Sequence, residues 1–166
     1  MAYLVGIPTM ALLALLQSTI LSYSILLEGR PDLVLLAVIG WGLTGRTTET
    51  LVLAFTGGIF LDLFTAMPFG VNALAMVVVA FIVTLFEGRI WEANLLTPLA
   101  IALLTSIAYF AIMIGVVFLM GRPIDLTTAF RRVILPSTFL NLVLVIPVTQ
   151  AAAALARRLF APEVKI

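Results

Sequence analysis

TLVLAFTGGIFLDLFTAMPFGVNALAMVVVAFIVTLF, residues Thr50 to Phe86, holds a single charged side chain, Asp62, in 37 positions. As one straight helix it would run about 55 Å, against a hydrocarbon core of about 30 Å. It therefore has to double back. Met67-Pro68-Phe69-Gly70 is the natural place, because Pro68 has no amide hydrogen and Gly70 can adopt positive φ. The spacing predicts a tight hairpin of two membrane helices, one from Thr50 to Thr65 and the other from about Phe69 to Phe86. In the first arm Ala54, Gly58 and Asp62 recur every four residues, so small side chains and the carboxylate share one face, suited to packing on another helix. An ionised carboxylate facing lipid at depth would cost several kcal/mol, so Asp62 must point into protein or toward headgroups. Three roles stay open for it: capping or hydrogen-bonding the hairpin turn, docking on a partner's Arg or helix N-terminus, or contacting a ligand or ion. Asn72 is placed to hydrogen-bond Asp62 or its backbone. Under the capping role Asp62→Asn is expected to be nearly silent and Asp62→Leu to cost about 1 to 3 kcal/mol.

The whole chain has the same character: 63% of its 166 residues are hydrophobic and 10% are charged. A soluble domain carries about 25% charged residues, so the bilayer is the solvent and residues 1–166 read as one polytopic, all-α membrane domain. A net charge of +1 with scattered Arg residues gives no field for nucleic acid. Cys and His are both absent, which excludes disulfides, thiolate or imidazole metal ligands, and nucleophile-base pairs built on either.

Outward from the hairpin, Met1 to Leu27 carries no charge and lacks a basic n-region, so it reads as a retained first span with Gln17, Ser18 and Thr19 near its middle. Pro31 suits a first helical position and Asp32 meets the positive end of the next helix dipole, opening a short second span from Leu33 to Gly45. Glu87 to Glu92 is a charged turn with an interfacial Trp91, and Ala93 to Gly121 a further span starting near Thr97-Pro98. Between Gly121 and Arg132 an amphipathic pattern, capped by Asp125, suits either a short helix lying at the interface or simply the first turns of the last span. Pro136 then opens the last span, from Ser137 to Ala156, with Asn141 inside it and Arg157-Arg158 at its end. Six spans place both termini on one side. Arg46, Arg89, Arg157, Arg158 and Lys165 inside, against Arg30, Arg122, Arg131 and Arg132 outside, favour cytoplasmic termini.

Little here could do chemistry. Asp62 is the only carboxylate in a span interior and no span interior carries a base; Ser106 and Ser137 have no base in their own segments, and Lys165 is the only lysine. The residues argue against an enzyme and call for no cofactor or metal.

Three spaced segments carry a family likeness. Pro31-Asp32-Leu33-Val34-Leu35-Leu36, then Gly58-Ile59-Phe60-Leu61-Asp62-Leu63-Phe64, then Pro68-Phe69-Gly70-Val71-Asn72-Ala73-Leu74 resemble the MreD family of rod shape-determining membrane proteins. Leu135-Pro136, Asn141 and Arg157-Arg158 look like the family's last helix. Asn72 stands where the family often has His, so no ionisable role is carried over to it. The resemblance implies a non-enzymatic subunit of the cell-elongation machinery in the bacterial cytoplasmic membrane. Such proteins work with MreC, with the actin-like MreB, and with RodA and its transpeptidase. It also implies a fold similar to the S-components of energy-coupling-factor vitamin transporters, which supplies an alternative function as a small-molecule binding subunit. The Ala-x-x-x-Ala docking face of S-components is missing, since Ala11 and Ala14 are three apart. Pro31, Asp32, Gly58, Asp62, Pro68, Gly70, Asn72, Pro136 and Asn141 are the candidate structural or partner-contact residues.

Overall fold

The computed structural model describes residues 2–19, 29–86 and 96–160, and these are all-helical. The helices are α1 (Ala2–Thr19), α2 (Leu33–Gly42), α3 (Thr47–Phe64), α4 (Val71–Leu85), α5 (Leu96–Leu119) and α6 (Leu126–Leu159). Among them α3, α5 and α6 are long and apolar enough to cross a membrane, while α1, α2 and α4 are shorter apolar helices. The expected charged turn at Glu87 to Glu92, the stretch Ile20 to Glu28, and Lys165 lie outside the described residues.

The short second helix is the hub. Eight of the ten residues of α2 are buried, and it touches every other helix. A helix apolar all round has no side to give to solvent, so it goes to the centre. Met10 and Ala14 of α1, Leu53 and Ala54 of α3, Met76 and Val79 of α4, Ile101 of α5 and Val145 of α6 close around it. At the far end of α2, Trp41 Nε1 donates to Glu49 Oε2 at 3.2 Å and Arg46 pairs with Glu49 at 3.1 Å. The Arg46 guanidinium also lies over the Phe160 ring, which ties the start of α3 to the end of α6.

Helices α3 and α4 form the expected hairpin, with Gly70 at φ +96° in the turn. A Cβ at Gly58 would meet the Ala73 Cα at 2.4 Å, so the two backbones touch there. At Gly42 an added Cβ meets Val83 Cγ1 at 2.6 Å and Thr50 Cγ2 at 3.1 Å, both on buried β-branched side chains that are stiff about χ1. Gly42→Ala is therefore expected to cost about 1 to 2 kcal/mol in a detergent unfolding titration.

One expectation is corrected and one choice between two readings is decided. Gln17, Ser18 and Thr19 are the last described residues of α1. Pro31 falls outside α2, because Asp32 takes the N-cap with an extended ψ of 95° and the helix opens after it. Of the two readings of the stretch before the last span, the first turns of that span are what forms: Asp125 caps Leu126, and one helix runs on through Pro136 to Leu159. What lets it pass the proline is a π-helical turn at Phe130–Ile134, where the Leu135 amide bonds the Phe130 carbonyl five residues back. The wider turn accommodates a ring that cannot donate and would crowd an α-helical carbonyl. Hydrogen bonds from Thr128 hold the exposed Asp125 carboxyl below its ordinary range. A depressed pKa contributes above the ordinary carboxylate range and is lost as pH falls through the lowered value. Acidification is expected to lower the protection of the Thr127 amide relative to its intrinsic exchange rate at each pH, and equal protection at neutral and strongly acid pH would remove the cap.

Candidate functional site

Helix α2 begins among buried residues and α4 at a half-buried turn, and the first amides of each need partners outside their own helix. Side chains from elsewhere meet them. At α4, both carboxylate oxygens of Asp62 accept: Oδ1 from the Asn72 amide at 2.9 Å and from Asn72 Nδ2 at 2.9 Å, Oδ2 from Gly70 N at 2.9 Å and Ala73 N at 3.2 Å. A carboxylate from the preceding helix thus does the work of an N-cap, on the dipole end that favours negative charge. Asn72 Nδ2 also donates to Thr65 Oγ1 at 3.0 Å, and its carbonyl accepts from the Tyr109 hydroxyl at 2.9 Å.

At α2 the same problem is solved by several helices at once. Asp32 Oδ1 accepts the Leu35 amide at 2.9 Å and Gln17 Oε1 of α1 accepts the Val34 amide at 3.3 Å. Asn141 Oδ1 of α6 accepts the Asp32 amide at 2.9 Å, and Ser137 Oγ accepts the Arg30 amide at 3.0 Å. Asn141 Nδ2 reaches Ser106 Oγ of α5 at 3.3 Å. Pro136 abuts Gly29, where an added Cβ would lie 2.6 Å from the Pro136 backbone.

The two clusters meet at Tyr109, which neighbours both Asp32 and Asp62. Beside them opens a cavity of about 550 Å³, whose lining includes Gln17, Arg30, Asp32 and Ser137 together with Leu61, Phe64 and Phe110. Asp32, Asp62, Asn72 and Asn141 are thus brought to one end of the bundle. Gly58 belongs to the α3–α4 contact, and Pro68 serves the turn, its carbonyl accepting the Val71 amide at 3.2 Å. Sequence reasoning did not find Gln17 or Tyr109 as members, since nothing local marks a glutamine as another helix's cap. Thr138 is buried with no partner for its hydroxyl, so Thr138→Val is expected to change stability by less than about 0.5 kcal/mol.

The geometry holds helices in place. Among the described residues no group of three His, Cys, Asp or Glu could hold a metal ion, and the oxygens of Asp62 are spent on amides. The model of the rod shape-determining protein MreD matches residues 1–155 of this 166-residue chain. The chain belongs to the MreD family. Its role is accordingly in rod shape determination, and its apolar helices are those of a membrane protein. MreD is a structural, shape-determining family, in keeping with a site built from helix caps. No curated protein and no solved structure matches the chain.

Proposed function

We propose that this MreD-family chain is a non-catalytic subunit of the bacterial cell-elongation complex, which holds the single membrane helix of MreC and thereby helps to position side-wall peptidoglycan synthesis. MreB, RodA and the elongation transpeptidase belong to the wider assembly. The chain is one domain, residues 1–166, crossing the cytoplasmic membrane six times with cytoplasmic termini. The family match carries this reading. It is supported by a polar interior committed to capping helices and by the outer faces of α5 and α6. Only 28% of the apolar window in α5 and 11% in α6 is buried within the chain, against 39% in α3. Ile107, Phe118, Phe139 and Val143 all point outward there. A partner helix packs on that face through van der Waals contact.

Co-expression with the native MreC tests this. A complex surviving purification into nanodiscs is expected, and repeated failure to co-purify would refute it. The alternative, an S-component-like subunit that binds a vitamin, draws its support from the polar cavity beside Asp32. A bound vitamin together with association with an ATPase module would favour it.

A further inference from the structure

We infer that a crevice at the Arg157 end of the bundle is a binding site for a phospholipid whose headgroup carries a net negative charge. The crevice, of about 210 Å³, lies between the end of α2, the first turn of α5 and the last turns of α6, and its lining includes Gly40, Thr44, Pro98, Gln150, Ala153 and Arg157. Its floor is closed where α2 and α6 touch, since a Cβ added at Gly40 would meet Ala152 Cβ at 3.2 Å. The first ground is position. Glu49 bonds both Trp41 and Arg46 at this end, and Arg46 lies over Phe160, just past the end of α6. Indole and charged groups gathered at one level mark a bilayer surface. Pro98 shares the crevice with Arg157, so α5 starts at that same surface. Its 24 residues run inward from there for about 36 Å, a tilted crossing of the hydrocarbon. The crevice opens where headgroups are.

The second ground is charge. Among the described residues that line the crevice, Arg157 is the one ionised group. Glu49, at the same end of the bundle, is already paired with Arg46. A cation in a crevice at the lipid boundary calls for an anion, and the oxygens of a phosphodiester accept from a guanidinium at two points. A zwitterionic headgroup would bring its own ammonium to that cation, with no carboxylate in the wall to meet it. A headgroup without an ammonium is therefore preferred.

The third ground is a glutamine. Gln150 lies about two turns before Arg157 on the same face of α6, and both line the crevice, so one ligand reaches both. Gln150 is exposed on the membrane side of Arg157, and among the described residues neither side chain has a hydrogen-bond partner. An amide that faces lipid with nothing to bond is costly. With the phosphate on Arg157, the Gln150 NH2 donates to the ester carbonyls of the same lipid. Thr44 Oγ1 donates to the Trp41 carbonyl at 2.6 Å and keeps its lone pairs, which suit a headgroup hydroxyl. This inference does not depend on MreC binding, and either can fail alone.

The test is lipid retention by the full chain in nanodiscs of equal parts phosphatidylglycerol and phosphatidylcholine, read by native mass spectrometry. Retention of phosphatidylglycerol about fivefold above phosphatidylcholine is expected, the size of one arginine's attraction to anionic lipid. Arg157→Gln should reduce that preference to about twofold or less. Arg158→Gln removes the same charge one residue on, outside the crevice lining, and should leave most of the preference. Both arginines are exposed at the end of α6, so both variants keep the fold. Ala153→Leu changes no charge but fills the crevice, and should lower phosphatidylglycerol retention as Arg157→Gln does. Equal losses from the two arginine variants would overturn the site in favour of general surface charge, and retention unchanged by Ala153→Leu would place the lipid elsewhere. Equal retention of the two lipids by the unmodified chain overturns the assignment outright. Displacement of the lipid by an equal concentration of soluble glycerophosphoglycerol would overturn a lipid as the source.

Discussion

Asp62→Leu is expected to lower the free energy of unfolding by about 3 to 5 kcal/mol, measured by titration with a denaturing detergent in mixed micelles. The leucine removes the carboxylate that accepts the Gly70, Asn72 and Ala73 amides, and leaves Asn72 Nδ2 only Thr65 Oγ1. Asn72 is 2% exposed, so neither water nor lipid replaces the lost oxygens there. The geometry also revises the expectation for Asp62→Asn. Both carboxylate oxygens are in use, so an amide can serve one pair of donors while its NH2 faces the other. A loss of about 1 to 2 kcal/mol replaces near-neutrality. If the Leu variant unfolds at the same detergent fraction as the parent, the carboxylate does not hold the start of α4.

Gly58→Ala is the second large effect, at roughly 3 kcal/mol, with Gly58→Val larger. The new methyl would stand 2.4 Å from Ala73 Cα and 2.7 Å from its nitrogen, and backbone cannot rotate out of the way. The helices would have to part beside Asp62, stretching the bonds it makes to α4. The two sites are therefore coupled, and the Gly58→Ala/Asp62→Leu double variant should lose less than the sum of the singles. Full additivity would show that the contact and the cap act separately. Gly70→Ala is gentler: nothing lies within 4 Å of an added Cβ, so only the φ of +96° resists, at about 1 to 2 kcal/mol.

The hairpin could be read in the sequence because its signals are local: an uncharged run too long for one crossing, a Pro-x-Gly turn, and Asp62 and Asn72 ten residues apart. The bond between their side chains, at 2.9 Å, follows from that spacing. The place of Asp32 at the positive end of the next helix was likewise legible, although its role as the N-cap was not. What could not be read depends on distant partners. Asn141 meets the Asp32 amide across 109 residues, and Gln17 reaches into α2 from another helix. The unbroken α6 was left as one of two readings for a different reason. Pro136 and the amphipathic pattern before it favour a break, and the π-helical turn that avoids one has no composition of its own. Tyr109 lies in an uncharged span, and its contact with Asn72 required knowing which way α5 faces.

The proposal that the chain acts by holding a partner helix is tested most directly by cysteine cross-linking to MreC in the membrane. The sequence contains no cysteine, so each introduced one is unique. Single cysteines at Ile107, Phe118, Phe139 and Val143 on the outer face of α5 and α6 would be paired with a cysteine scan of the MreC helix. Buried Val79 is the control. Cross-links are expected at outer-face positions with a helical period along MreC, and none at Val79. Cross-links without periodicity, or none on this face, would contradict the proposal.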